Sequence, residues 1–478
     1  MTMKFSVLIL SACLYLTSCT SSHKAGWITT TENSSWVEQP ELVATSADNV
    51  ANVDVTVLTD KPQQQIEGFG ACFNELGWTS LGLLEPSVRE QIMEEWFAPG
   101  VGANFTICRM PVAANDFSRD WYSYNEKEGD FEMSNFSIKN DLETLIPFIK
   151  NAQKYQPDLR IWASPWCPPS WMKHNKHYAG SYTGENYDEK YRNGLPKEKV
   201  GREGTDMFIQ EPRYLQAYAL YFSKFIQAYK EQNINIFAVM PQNEFNSPQI
   251  FPSCTWRAEA LSDFIGNYLG PAMEKEGVEV MFGTMERANE ALVDTILTTP
   301  ASSKFVKCVG FQWAGKGAIG GIHKRYPNLK LYQTEQECGD GKNTWEGAMY
   351  SWDLMRHYLN NGVCAYNYWN MSLEKGGISR WGWAQNSLVV VDPRTKDFEY
   401  SYEYYVMKHV SHFVRTGAYK LETEGGFDNV LAFKNEDGSI ALIFANETNE
   451  DKTIAIRVGD QTYSPNVKAN SLNTLLIP

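Results

Sequence analysis

Two stretches of this 478-residue chain run from apolar residues into acid. One reads Met240-Pro241-Gln242-Asn243-Glu244, the other Leu331-Tyr332-Gln333-Thr334-Glu335-Gln336-Glu337. Both have the pattern of a short strand, so each sets a carboxylate at a strand's C-terminal end. Two carboxylates facing one cleft are the minimum equipment for cleaving a glycosidic bond. One protonates the leaving oxygen, and the other attacks the anomeric carbon or activates water. A single glutamate at a strand end is more often a solvated cap. The pair, with Asn243 directly before one member, favours chemistry. Glu335 and Glu337 share strand parity, so alternation leaves both open as the second carboxylate.

The elements that must position these residues recur regularly. Strand-like runs fall at 65–73, 105–112, 159–166, 235–244, 279–286, 308–313, 329–337 and 362–370. Helical patterns separate them. Pro212 suits the first turn of a helix whose Leu215, Ala219, Phe222, Ile226 and Tyr229 share a face, and Ala258, Leu261, Ile265 and Leu269 mark another. Eight β-α alternations over roughly 300 residues predict an α/β fold, the (β/α)8 TIM barrel, with its active site at the C-terminal strand ends. The barrel is expected at 63–407. After it the pattern turns to short strands and an Asp437-Gly438 hairpin turn, predicting a small β-sandwich over 408–478. Val53-Asp54-Val55-Thr56-Val57-Leu58, within 48–62, supplies a further strand, so the side domain is built from both chain ends. The polar stretch 173–211 follows the third strand, and its Tyr178, Tyr182, Tyr187 and Tyr191 are expected beside the cleft.

Hydrophobic residues at 43% and charged residues at 21% exclude disorder and collagen-like order. Aromatics reach 13%, a richness shared by sugar-stacking surfaces and large cores. A net charge of −14 with no Lys/Arg-rich block argues against nucleic acid as a partner. Near the N-terminus an apolar run after Lys4 ends in Leu16-Thr17-Ser18-Cys19, which resembles a bacterial lipobox. Residues 1–18 are then a signal peptide, Cys19 carries lipid, and the Ser/Thr-rich stretch 19–47 is a tether. Export to the cell envelope follows, with membrane contact only through that anchor. Seven other cysteines remain in the mature chain, an odd number without a CxxC pair, which disfavours a disulfide framework. His174-x-x-His177 and His409-x-x-His412 lack a recognised metal pattern, and no metal or cofactor is expected.

Several motifs, taken together, resemble glycoside hydrolase family 30 of clan A, the glucosylceramidase and β-1,6-glucanase group. They are Ile66-Glu67-Gly68-Phe69-Gly70-Ala71, Cys108-Arg109-Met110-Pro111 with Asp116-Phe117-Ser118, Ser164-Pro165-Trp166-Cys167-Pro168-Pro169-Ser170-Trp171-Met172-Lys173, Pro241-Gln242-Asn243-Glu244, Thr334-Glu335 and Tyr368-Trp369-Asn370. The resemblance implies that Glu335 is the nucleophile of a retaining hydrolase and Glu244 its acid/base, favouring Glu335 over Glu337. It implies that Asn243 binds the 2-hydroxyl, and that Asp116, Trp166 and Trp369 grip the terminal sugar. Trp313 is counted with them, and Arg109 is expected to keep the nucleophile ionised. Where glucosylceramidases carry His-Trp-Tyr, this chain has Gln312-Trp313-Ala314. The lost Tyr opens the cleft, which suits a polymer. The expected substrate is therefore β-1,6-glucan, with a glucosylceramidase or another exo-β-glycosidase as alternative, and a glycan-binding surface lipoprotein as the non-enzyme alternative.

Overall fold

The computed structural model describes residues 23–478. The expected signal peptide and Cys19 lie outside these residues.

Eight parallel strands close into a barrel. In chain order they are Gly68–Cys72, Ile107–Val112, Arg160–Pro165, Ile236–Val239, Glu279–Met285, Val306–Gln312, Lys330–Glu335 and Val363–Asn370. Each expected run contains one of them or overlaps it closely. Ile107, Trp162, Ala238, Met240, Met281, Cys308, Tyr332, Cys364 and Ala365 form the barrel's inner packing. Cysteine serves there as a small apolar filler, and all seven described cysteines are buried with free thiols. Helix Pro212–Glu231 starts with proline at its first position, where the missing N–H costs nothing. Its Leu215, Ala219, Phe222, Ile226 and Tyr229 are all buried, as the 3.6-residue period requires.

The side domain is a ten-stranded sheet wrapped round its own core of residues such as Val57, Leu421, Leu442, Phe444, Ile456 and Leu475. Its strands come from both chain ends. The Val430–Lys434 and Ile440–Asn446 hairpin turns at Gly438, whose φ of 91° only glycine adopts readily.

Two expectations need correction. Residues 24–46 are not a tether. Lys24–Thr31 and Ser34–Val43 form a hairpin, and Thr45–Ser46 pairs with Gln461–Tyr463. The first strand pairs along Ser471–Ile477 from Gly26↔Leu476 to Thr31↔Ser471. Serine and threonine suit a linker by composition, yet Thr29 and Thr30 are buried, and Thr29 Oγ1 donates to Asn473 Oδ1 at 2.8 Å. The boundary at 407/408 cuts helix Tyr402–Ser411. That helix packs on both domains, and the His409 ring sits between the hydroxyls of Thr30 and Thr474, at 2.8 Å each.

Deleting residues 24–46 removes one whole flank of strand Ser471–Ile477, leaving an open edge. The Tm of the remaining chain is expected to fall by at least ~5 °C, with aggregation, measured by calorimetry. A tether would leave Tm unchanged.

Candidate active site

The residues brought together at the barrel mouth come from six strand ends. Arg109 lies in the second strand and Ser164 in the third. Asn243 and Glu244 follow the fourth after a short turn, and Thr284 lies in the fifth. Gln312 closes the sixth strand and Glu335 the seventh. Of these, Asn243, Glu244 and Glu335 line a cavity of about 280 Å³, with Asp116, Trp166, Phe251, Glu286, Arg287, Trp313 and Trp383 on its other walls.

Arg109 organises this cluster from behind. Its side chain is fully buried. The guanidinium faces the rings of Trp162, Trp166 and Trp369 at 5.0, 4.4 and 5.3 Å, within cation–π range. Nη1 donates to Glu335 Oε2 at 3.0 Å and to the Thr334 carbonyl at 3.2 Å, and Nη2 donates to Asn243 Oδ1 at 2.7 Å and Ser164 Oγ at 2.9 Å. Asn243 Oδ1 also accepts from Thr284 Oγ1 at 3.0 Å. With its oxygen so committed, the Asn243 amide nitrogen is the group left to a substrate hydroxyl.

Gln312 stands between the two acids. Its Nε2 lies 3.1 Å from Glu244 Oε1 and 3.2 Å from Glu335 Oε2. Its Oε1 accepts from Arg109 Nη1 and, at 2.9 Å, from Thr334 Oγ1, which fixes the orientation of the amide. Trp313 Nε1 donates to the other oxygen of Glu335 at 3.2 Å. Glu244 and Trp313 both hold φ at 47°, a left-handed conformation that costs a non-glycine residue roughly 1–3 kcal/mol. The Glu244 N–H is held by Thr284 Oγ1 at 2.8 Å.

Burial raises the proton affinity of both carboxyls. The arrangement separates them nevertheless. Glu335 has a guanidinium and an indole N–H against it, which favour its charged form. Glu244 accepts only from the neutral amides of Gln312 and Gln249, the latter at 3.2 Å. Of the two, Glu335 is thus the better placed to bear charge and Glu244 to keep a proton. Asp116 is pushed up by burial, then by Glu335 and Glu244, and its Oδ1 is buried without a hydrogen-bond partner. Such an orphan at a cavity wall is fitted to a sugar hydroxyl.

The remaining expected residues divide. Trp166 lines the cavity, whereas Trp369 stacks behind it, with ring centroids 5.3 Å apart, and does not line the cavity. Glu337 is turned away, ion-paired with Lys316 at 2.6 Å and bonded by Tyr350 OH at 2.8 Å. The tyrosines of 173–211 do not reach the cavity lining. Tyr178 stacks on Trp121, and Tyr191 packs against Gly382. The loop instead buttresses a wall. The buried Lys173 ammonium binds the carbonyls of His177 and Ser253, both at 2.6 Å, and Gly180 N–H binds the Gln249 carbonyl at 2.9 Å.

Among the contributors that sequence reasoning missed are Gln312, seen only as a departure, and Glu286, Phe251 and Trp383. The signal for Glu286 was present, since it ends the fifth run as Glu244 ends the fourth.

A model of the glycosyl hydrolase family 30 TIM-barrel domain matches residues 66–414, and one of the family's beta sandwich domain matches 417–475. The chain is 28% identical to putative glucosylceramidase 1 of Caenorhabditis elegans, over 89% of this chain and 82% of that protein. It is 26% identical to endo-1,6-beta-D-glucanase neg1 of Aspergillus fumigatus, over 87% of this chain and 86% of that protein. Among solved structures, an endo-beta1,6-glucanase superposes with a TM-score of 0.79 at 24% identity, covering 95% of this chain and 99% of its own.

Glu286 offers a check on the electrostatics. Burial, then the neighbouring Glu244, push its carboxyl to about 8. The folded state thus binds a proton that the unfolded state releases near pH 4.5, and this group's contribution to stability falls as pH rises toward 8. Glu286→Gln cannot ionise. Its Tm relative to wild type should climb from pH 5 to pH 8, and a pH-independent difference would show that Glu286 titrates normally.

Proposed function

The chain belongs to glycoside hydrolase family 30, and on that premise we propose that it is a retaining hydrolase of β-linked glucose, acting on soluble β-1,6-glucan. The observation that carries the mechanism is Gln312 Nε2. One nitrogen within 3.1 and 3.2 Å of both acids holds their near oxygens closer than the roughly 6.5–9.5 Å of inverting sites, and it suits the ~5–5.5 Å of retaining ones.

In this reading Glu335, ionised against Arg109, attacks the anomeric carbon while Glu244 delivers its proton to the glycosidic oxygen. The leaving sugar departs, and a glycosyl ester on Glu335 remains. Glu244, now a carboxylate, takes a proton from water, which attacks the same carbon and frees Glu335 with the β configuration restored. The Asn243 amide and the unpartnered Asp116 oxygen hold hydroxyls of the cleaved sugar. The built geometry of this pair argues against a purely glycan-binding protein.

The substrate reading rests on the cavity wall. Ala314 lines it where the glucosylceramidase pattern has Tyr, and Ser247, Gln249, Glu286 and Arg287 make the adjoining wall polar. The loop tyrosines no longer support it. The similarity to a glucosylceramidase keeps that activity as the competing reading. β-1,6-Glucan, β-1,3-glucan, cellulose oligomers and glucosylceramide assayed side by side decide between them: β-1,6-glucan should be cleaved fastest, with a β-anomer as first product by NMR. Glu335→Gln should lower turnover by about 10³-fold or more, while Glu337→Gln keeps most of it. Glu244→Ala should slow glucan cleavage far more than formation of the glycosyl ester from an activated aryl glucoside. Preference for glucosylceramide would overturn the substrate and leave the mechanism standing.

We also propose that Cys19 carries the lipid that holds the protein at the cell envelope, the support being the Leu16-Thr17-Ser18-Cys19 string. Because ordered strand begins at Lys24, the anchor would set the side domain close to the bilayer. Cys19→Ala should abolish membrane-fraction recovery, and unchanged recovery with normal processing would refute the lipobox.

A further inference from the structure

An acid/base must face the group that leaves, so residues around Glu244 on the side away from Glu335 mark where that group lies. Gln312 occupies the side toward Glu335. On the other, Gln249 Nε2 donates to Glu244 Oε2 at 3.2 Å, and Ser247, Phe251, Glu286 and Arg287 continue the wall. Glu286 is buried. Its Oε1 accepts from Asn246 N at 2.8 Å and Ser247 Oγ at 3.0 Å, whereas the best protein donor to Oε2 is Asn246 Nδ2, at 3.5 Å. One oxygen of a cavity-lining carboxyl therefore lacks a good partner. Arg287 puts Nε and Nη2 on the two Glu203 oxygens at 3.0 and 3.1 Å, and its Nη1 donates to the Glu286 carbonyl at 3.2 Å and lies 4.0 Å from Oε1, the carboxyl oxygen that already has partners.

Above this wall stands Trp383, on a small hairpin closed by the Ile378↔Ala384 bridge. The hairpin's other indole, Trp381, is buried against Trp121 at 4.7 Å and anchors it. Ser379 Oγ accepts from Trp383 N at 3.0 Å, holding the backbone beneath the ring. Trp383 remains 40% exposed while lining the cavity, its ring 6.3 Å from that of Phe251. An indole carried on an anchored backbone and left open over polar groups is a plate awaiting a flat partner.

We propose that Trp383 and Glu286 form the subsite for the leaving portion of the substrate, and that its occupant is a neutral sugar ring, one face on the indole and its hydroxyls on Glu286 and Gln249. The proposal rests on Glu244 being the acid/base. An alkyl chain in the same place would strip water from Ser247, Gln249 and Glu286 without replacing its hydrogen bonds.

The test compares β-glucosyl fluoride, which has no leaving ring, with a β-1,6-linked glucose disaccharide and with glucosylceramide. In Trp383→Ala, kcat/KM for the disaccharide divided by that for the fluoride should fall about tenfold, chiefly through KM. Trp383→Phe should recover most of the loss, and Glu286→Gln should lower the same ratio with wild-type Tm at pH 5. An unchanged ratio in both variants, or a loss shared equally by disaccharide and fluoride, overturns the subsite. A loss confined to glucosylceramide overturns the sugar as its occupant. Wild-type protein that hydrolyses the fluoride but not β-1,6 linkages defeats the glucan reading instead, and the ratio is then measured on whichever linkage is cleaved.

Discussion

The buried charge of Arg109 is the constraint around which the barrel mouth is built. A guanidinium with no solvent must recover its lost hydration from hydrogen bonds, an opposite charge and π-faces. Here it takes all three: two carbonyl oxygens of amide side chains and one of the backbone, the Ser164 hydroxyl, the Glu335 carboxylate, and three indoles. Each satisfied donor fixes a neighbour. Asn243 can present only its nitrogen to the cavity, and Glu335 has one oxygen on Arg109 and the other on Trp313. Trp369 takes part by closing the aromatic box behind Trp166, a supporting place rather than a wall. Cutting one partner from such a buried pair costs about 3–5 kcal/mol, because the other charge is stranded.

Gln312 gives the site a second character. In the glucosylceramidase pattern this position carries histidine, which titrates near neutrality. An amide bridges both acids while adding no proton of its own. The charge state of the cavity is then governed by its carboxyls, Asp116, Glu244, Glu286 and Glu335, all of which burial drives toward the protonated form. Of Glu244 and Glu335, it is Glu335 that has a guanidinium at hydrogen-bond distance, and that asymmetry supports the roles proposed for the pair.

The barrel was legible because buried parallel strands leave continuous apolar runs, and because motif strings at their ends are local in sequence. Glu244 and Glu335 were legible for the same reason. The separation of Glu335 from Glu337 needed three dimensions, since parity is shared and only the Lys316 and Tyr350 contacts show Glu337 to be engaged elsewhere. Trp383 was hidden because its partner, Phe251, sits on a different loop. Tyrosines of 173–211 misled in the opposite way: aromatic spacing in a loop says nothing of which neighbour buries each ring. Residues 24–46 misled most, because polar composition describes an edge strand as well as a linker, and their pairing partners lie at the far end of the chain.

That last pairing has a consequence for how the molecule is made. Trp27 Nε1 reaches Asn473 Oδ1 across 446 positions, so the first strand of the side sheet, paired on one edge with Ser34–Val43, keeps its other edge open until Ser471–Ile477 has been synthesised. Loop closure over such a distance is entropically late and slow. The barrel, whose strands pair mostly with their sequence neighbours, can assemble around its own core first. The side sheet then works as a latch, completed only when Ser471–Ile477 slides between the hairpin at one end of the chain and the hairpin at the other. A chain that stops a few residues short would keep every side chain of the barrel mouth and lose the latch.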